Sequence, residues 1–98
     1  MALTVRITRR AATQIETIER WWAANRPKAP DAFFDDLGGA LTLLSVQPGI
    51  GARIANTKLP DVRRLHLARV RYFVFYRVKA GELVILAVWH ASRTAPEI

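Results

Sequence analysis

The pattern of apolar and polar residues divides the chain into a helical first half and a strand-rich second half. A short alternating, β-branched stretch at residues 3–7 predicts a first strand. Behind it, Thr8 can cap a helix, and an apolar stripe follows at helical spacing. The stripe consists of Ala11, Ala12, Ile15, Ile18 and Trp22. Pro27 predicts that this helix ends near Asn25, because the residue before a proline avoids the helical conformation.

A second helix is predicted to begin at Pro30, which suits the first turn, with Asp31 favourable to the helix dipole. Its apolar stripe is Phe33, Leu37, Ala40, Leu41 and Leu44. Gly38 and Gly39 interrupt the stripe at up to about 1 kcal/mol each relative to alanine. They either let another backbone approach closely or are simply tolerated. The short connection between the two helices predicts an antiparallel hairpin.

The second half of the chain reads as strands. After a loop that runs from residues 47–52 to about Pro60, strands are predicted at 62–68, 69–78 and 83–89, with a hairpin turn between the last two. The strand at 69–78 alternates, with Val70, Tyr72, Val74, Tyr76 and Val78 on one face and Arg69, Arg71, Phe73, Phe75 and Arg77 on the other. The strand at 83–89 is apolar on both faces, which is typical of a central strand. His90 continues it in register with Val84, Leu86 and Val88.

The element order predicts one α+β domain over residues 1–98, because a chain of this length supports one core. The arrangement is β-α-α-β-β-β. The N-terminal strand joins a small, mainly antiparallel sheet, and the antiparallel helix hairpin packs on one face of it. We expect the Val/Tyr face of the third strand to receive the helices and the Arg/Phe face to look outward, unless another segment covers it.

Composition and charge narrow the function. The absence of cysteine excludes disulfides, thiolate metal sites and a cysteine nucleophile. The longest uncharged run, residues 37–52, is too short for a membrane helix, and the N-terminus has no secretory pattern, so we expect a soluble intracellular protein. The net charge is +7, with six basic and five acidic residues in 1–49 but nine and three in 50–98. A basic half indicates a polyanionic partner, although surface arginine for solubility alone is the alternative.

Four stretches carry a family resemblance: "QIETIERWW", "APDAFFDDLGGALTLLSVQPGIGAR", "LPDVRRLHLARVRYFVFYRV" and "LVILAVWHASR". In this order they resemble the RelE/ParE superfamily, the toxins of type II toxin–antitoxin (plasmid stabilisation) modules. The resemblance implies a cytoplasmic toxin without a cofactor, held inactive in a hetero-oligomer by a cognate, ParD-like antitoxin encoded beside it. It also implies one of two targets. The ParE branch poisons DNA gyrase without a hydrolytic site, whereas the RelE branch cleaves mRNA on the ribosome.

A RelE-like site would carry over His90 or His66 as the acid–base group of RNA cleavage. Arg63, Arg64 and Arg93 would then hold the phosphate. However, the residues after Arg93 include neither the tyrosine nor the lysine of such a site, and "VWHASR" resembles the ParE branch better. We therefore expect a ParE-like gyrase inhibitor with no assigned catalytic residue and no metal site, in which His90 is a hydrogen-bonded strand-end residue. The alternatives are a RelE-like ribonuclease and a non-toxic antitoxin-binding module.

Candidate partner-binding residues combine arginine with aromatic rings. Such a surface can bind phosphates and bases, or an acidic antitoxin segment. The competing interpretations are that Phe73 and Phe75 belong to the core and that Trp21 is a lid over the core. The candidates are Arg69, Arg71, Phe73, Phe75, Arg77, Arg93 and Trp21.

Overall fold

A computed structural model describes residues 2–94 and 96–98; Met1 and Ala95 of the predicted domain lie outside the described residues. The observed order confirms the predicted α+β arrangement and adds one short strand, β2, inside the predicted loop. The elements are β1 (Thr4–Ile7), α1 (Arg9–Asn25), α2 (Ala32–Val46), a 3-10 turn (Pro48–Ile50), β2 (Ala52–Arg53), β3 (Arg63–Leu67), β4 (Tyr72–Lys79) and β5 (Glu82–His90).

The helices begin and end close to the predicted positions. Thr8 caps α1, since its hydroxyl oxygen accepts a 3.2 Å hydrogen bond from the Ala11 N–H. Ala12 is exposed although it was placed in the apolar stripe, because it lies about 100° around the helix from Ala11. α2 begins at Ala32, so the prediction that Pro30 occupies its first turn is wrong. Residues 27–31 form turns instead.

One mixed sheet forms the second layer, with the strand order β1-β5-β4-β3-β2. β1 runs parallel to β5, and every other neighbouring pair is antiparallel. β5 lies inside the sheet, which confirms its prediction as a central strand. The helices cover the Val/Tyr face as predicted, and the core between the layers includes Ala11, Phe33, Leu37, Leu44, Tyr72, Val74, Tyr76, Leu83, Ile85 and Val88.

The second face of the sheet is also covered by another segment, so the Arg/Phe face does not look outward. The chain between β2 and β3 and the C-terminal residues lie across it, joined by a 3.0 Å hydrogen bond from the Lys58 N–H to the Ile98 carbonyl. Phe75 is therefore only 2% exposed and belongs to the core. Strand alternation alone does not show which segment covers a face, so the sequence left this outcome open. This second cluster consists of Val62, Phe75, Val84, Leu86 and Ala87, with Ile54, Leu59, Phe73, Trp89 and Ile98 packed against it.

A β-bulge changes the faces of β5. Phe75 lies opposite Ala87 but Tyr76 lies opposite Ile85, which leaves Leu86 as an extra residue. One extra residue reverses the alternation beyond it. The prediction that His90 shares a face with Val84 and Leu86 is therefore wrong: those two pack in the second cluster, whereas His90 follows Val88 on the helix side.

The connection between β3 and β4 corrects a further prediction. Residues 68–71 form a turn, which the Arg71 N–H closes with a 2.7 Å hydrogen bond to the Leu67 carbonyl. Arg71 adopts a left-handed backbone conformation with φ 65°. Arg69 and Arg71 thus lie outside β4 and do not continue the face of Phe73. The chain must reverse its direction between two antiparallel strands, and the alternation of residues does not show where it does so.

Candidate partner-binding groove

A groove of 1050 Å³ opens on the helix side of the sheet, at the end where β5 finishes. We call it the basic groove. Its walls are the second half of α1, the turn at 68–71, and the end of β5 with residues 91–93. It exists because α1 buries one residue fully, Ala11, while Ile15, Ile18 and Trp22 remain half-buried against the core.

The α1 wall presents two tryptophans. Trp21 is 44% exposed and meets Trp22 edge to face, with 5.8 Å between ring centroids. The Arg26 guanidinium lies 5.1 Å from the Trp21 centroid and 5.9 Å from that of Trp22, within cation–π range. The Trp22 Nε1–H is buried and has no acceptor among the residues that the structure describes. A buried donor without a partner costs about 1–3 kcal/mol, so this N–H lowers the stability of the wall.

The strand wall of the groove is the edge of β5, where side chains form hydrogen bonds with the backbone. β1 pairs with β5 only as far as Ile7 opposite Ile85, so the edge of β5 beyond that point has no neighbouring strand. Instead, the Val88 N–H donates a 2.8 Å hydrogen bond to Gln14 Oε1, and the Thr8 hydroxyl donates one of 3.3 Å to the Leu86 carbonyl. These two backbone groups of the β5 edge are therefore satisfied by side chains.

His90 lies in this groove and is held locally. Its Nδ1 accepts a 3.2 Å hydrogen bond from the Ser92 N–H and lies 2.6 Å from Ser92 Oγ. Its ring meets Tyr72 edge to face at 5.1 Å. Because Nδ1 accepts from a backbone N–H, the second nitrogen carries the ring proton. This geometry supports the interpretation of His90 as a hydrogen-bonded strand-end residue.

The charge of the groove is uniformly positive. Arg26, Arg69, Arg71 and Arg93 line it, and its described lining includes no aspartate or glutamate. Arg69 is engaged by Asp36 of α2 through hydrogen bonds of 2.6 and 3.0 Å, which raise the pKa of Arg69 above its ordinary value. The other three arginines form no ion pair within the described part of the chain. The groove can therefore attract an acidic partner.

The structure brings four of the seven predicted partner-binding residues together here: Trp21, Arg69, Arg71 and Arg93. The other three lie elsewhere. Phe73 is half-buried on the second face, with the Arg64 guanidinium 4.1 Å from its centroid and the His66 ring at 4.9 Å. Phe75 is in the core, and Arg77 lines a different pocket at the far end of the sheet.

The residues of the RelE-like alternative converge only in part: His66, His90 and Arg93 line the basic groove, whereas Arg63 and Arg64 lie elsewhere. Arg63 donates to the carbonyls of Gly49 (3.2 Å) and Gly51 (2.7 Å), so it holds the 3-10 turn. Along β4, Arg63 pairs with Tyr76 and His90 with Tyr72. Four residues of strand separate those positions by roughly 13 Å. Arg64 points to the second face, onto Phe73, whereas Arg93 lies with His90 in the groove.

Sequence reasoning missed Gln14, Arg26 and the unpaired Trp22 Nε1–H as groove features. One signal was present: Gln14, Ile18 and Trp21 are spaced i, i+4, i+7, which places them on one face of α1.

Within residues 2–94 and 96–98, no cluster of histidine and carboxylate side chains could hold a metal ion. In the same range, no helix has the length and apolar character needed to cross a membrane.

Comparisons with known proteins agree with this architecture. The model of a family described as the ParE toxin of the type II toxin–antitoxin system, parDE, matches residues 5–95. A structure of the chromosomal ParDE system from P. aeruginosa is 24% identical with a TM-score of 0.75, covering 93% of this chain and 98% of that one. A mutant of the E. coli toxin RelE in the free state is 21% identical with a TM-score of 0.56, covering 94% and 86%. No curated protein sequence matches the chain.

Proposed function

The chain belongs to the ParE toxin family of type II toxin–antitoxin systems, and from this premise we propose that it inhibits DNA gyrase and is silenced by a ParD-like antitoxin bound in the basic groove. The toxin–antitoxin assignment follows from the family. The antitoxin site rests on one observation: the groove combines exposed aromatic surface with three arginines that lack an acidic partner among the described residues.

The groove defines the chemistry of the antitoxin segment that fits it. Trp21 and the half-buried Ile18 call for an apolar side chain, and the guanidinium groups of Arg71 and Arg93, which form no ion pair within the described residues, call for carboxylates in the same segment. Tryptophan and arginine are the residues that most often dominate binding energy at such interfaces.

Gyrase inhibition is favoured over RNA cleavage because Arg63 and Arg64, two of the three candidate phosphate-binding arginines, lie away from His90. In-line cleavage needs the base, the phosphate-binding cations and the leaving-group acid within hydrogen-bond reach of one phosphodiester. Here His90 and Arg63 are paired with strand positions roughly 13 Å apart, and Arg64 lies on the opposite face. A toxin that acts by binding its target needs no such convergence.

Antitoxin binding is tested with the toxin and the purified product of the neighbouring gene. We expect Trp21→Ala to raise the dissociation constant about 30-fold, the effect of a hot-spot residue of 2 kcal/mol. The double variant Arg71→Glu/Arg93→Glu should weaken binding further and mainly slow association. Arg9→Glu is the matched control, since Arg9 is exposed in the first turn of α1 and does not line the groove. Affinity unchanged by the groove variants would place the antitoxin elsewhere.

The target is tested by inducing the toxin alone, then assaying supercoiling by purified gyrase and cleavage of ribosome-bound mRNA side by side. We expect supercoiling to stop, mRNA to remain intact, and added antitoxin to restore supercoiling. Cleaved mRNA that disappears with His90→Ala would overturn the proposal in favour of a ribonuclease. Unimpeded growth with active gyrase would indicate a non-toxic antitoxin-binding module.

A further inference from the structure

The outer face of α2 exposes apolar side chains to solvent. Leu43 is 41% exposed and Val46 57%, and Ile50 in the 3-10 turn that follows is exposed as well. At about 100° per residue, Asp35, Gly39, Leu43 and Val46 lie within an arc of about 80° that points away from the buried residues of the helix. We call these four residues the α2 face. None of them lines the basic groove, and exposed apolar patches mark sites of protein association.

Gly39 leaves an open space in the middle of the α2 face. A methyl group added at this position would meet no atom within 4 Å, so nothing in the described chain fills the space that the absent side chain leaves. Glycine weakens a helix relative to alanine, but it lets another molecule approach the backbone closely. Leu43 lies one turn further along the same face. A second α2 laid antiparallel across this face can therefore place its Leu43 over this Gly39, while its own Gly39 receives this Leu43.

The charges at the two ends of α2 are complementary in the same arrangement. Asp31 and Asp35 are exposed at the start of the helix and form no ion pair within the described residues. The 3-10 turn after the helix lines a pocket together with Arg53 and Arg63. Arg53 contacts Asp61 at 3.3 Å, but this exposed pair contributes little and leaves the arginine end positive. An antiparallel pair sets the acidic end of each helix against the arginine end of the other, whereas a parallel pair would set like charges together.

We propose that two copies of this chain associate through the α2 face, antiparallel, about a two-fold axis midway between Gly39 and Leu43. A two-fold interface must be self-complementary, and this face offers leucine against glycine and an arginine end against an acidic end. One helix face buries less than the roughly 800 Å² per partner of a standard interface, so the dimer is weak and forms as the concentration rises. The basic groove stays open in this dimer, so the proposal does not depend on gyrase inhibition or on the antitoxin site.

Sedimentation equilibrium of the full chain at rising concentration, at low ionic strength, measures the association. We expect a reversible equilibrium between monomer and dimer. Gly39→Gln fills the space that Leu43 of the other copy needs and should raise the dissociation constant of the dimer about 30-fold, as overpacking of a close contact does. Gly38→Gln is the matched control. An added methyl group at Gly38 also meets no atom within 4 Å, but this residue lies about 100° around the helix from Gly39, and the dissociation constant should not change.

Charge reversal tests the antiparallel orientation. Asp35→Lys and Arg53→Glu each set like charges together at both ends of the dimer, and each should raise the dissociation constant about tenfold. An equal mixture of the two variants restores opposite charges at both ends and should associate like the parent protein. Melting temperatures show that each variant is folded.

Three results would overturn the proposal. The first is a parent chain that remains monomeric at about 1 mM. The second is equal weakening by Gly38→Gln and Gly39→Gln, or no recovery of association in the charge-reversed mixture. The third is a monomeric parent chain whose antitoxin binding is weakened by Gly39→Gln, which would assign the α2 face to the antitoxin.

Discussion

Gly51 is the position where one added methyl group should do most damage. The fully buried Tyr76 places its hydroxyl against this residue: it accepts a 2.9 Å hydrogen bond from the Gly51 N–H and donates one of 2.6 Å to the Pro48 carbonyl. The backbone of Gly51 is ordinary, with φ −71°, so alanine introduces no backbone strain. A Cβ there would lie 2.8 Å from Tyr76 Cε1 and 2.9 Å from the Arg64 carbonyl, and closer still to the Tyr76 hydroxyl.

The magnitude follows from two effects. Overpacking a filled site costs about 1–3 kcal/mol because a rigid carbonyl and a buried ring must both move. Displacing the tyrosine hydroxyl leaves buried backbone groups without a partner, for about another 1–3 kcal/mol. We therefore expect Gly51→Ala to lower the free energy of unfolding by about 3 kcal/mol in total. For a domain of this size that corresponds to a fall in Tm of roughly 12–24 °C.

Thermal unfolding followed by circular dichroism measures the effect. Gly49→Ala is the matched control, because a Cβ there meets no atom within 4 Å, and it should change stability by less than about 0.5 kcal/mol. Tyr76→Phe removes the oxygen that the new methyl group would strike. The double variant Gly51→Ala/Tyr76→Phe should therefore be less destabilised than the sum of the single changes. A Gly51→Ala protein that melts like the parent, or strict additivity, would refute the reasoning.

Three further outcomes are expected. Gly38→Ala and Gly39→Ala should each stabilise the isolated protein by about 0.5–1 kcal/mol in urea unfolding, since neither Cβ meets an atom within 4 Å; a loss would contradict that open space. Phe75→Ala should lower the free energy of unfolding by about 3–5 kcal/mol, as for a buried ring, and a change below about 1 kcal/mol would show that its face is open. Burial raises the pKa of Tyr76 above its ordinary 10.0, although the Gly51 hydrogen bond and Arg63 oppose this. The native state therefore favours the neutral tyrosine. The free energy of unfolding that this contributes is fully present below about pH 10 and is lost as the pH rises through the raised pKa. The Tm measured between about pH 8 and pH 12 should therefore fall less steeply in Tyr76→Phe than in the parent protein.

The candidate site could be predicted only in part, because contacts between distant segments decide which residues line it. Trp21 and Arg93 were identified because an exposed tryptophan beside a helical stripe and an arginine after a strand are visible in the chain. Arg69 and Arg71 were identified for the wrong reason, since they reach the groove through a turn.

Local patterns determined the elements and the fold class of this protein. Helical spacing, the Thr8 cap and strand alternation depend on neighbours within a few residues, so they are readable from the sequence. Tertiary structure alone decided which surfaces are free. The C-terminal residues cover the second face, the Leu86 bulge moves His90 to the helix side, and loose packing of α1 opens the basic groove. These features depend on contacts between distant segments, which a one-dimensional pattern does not encode.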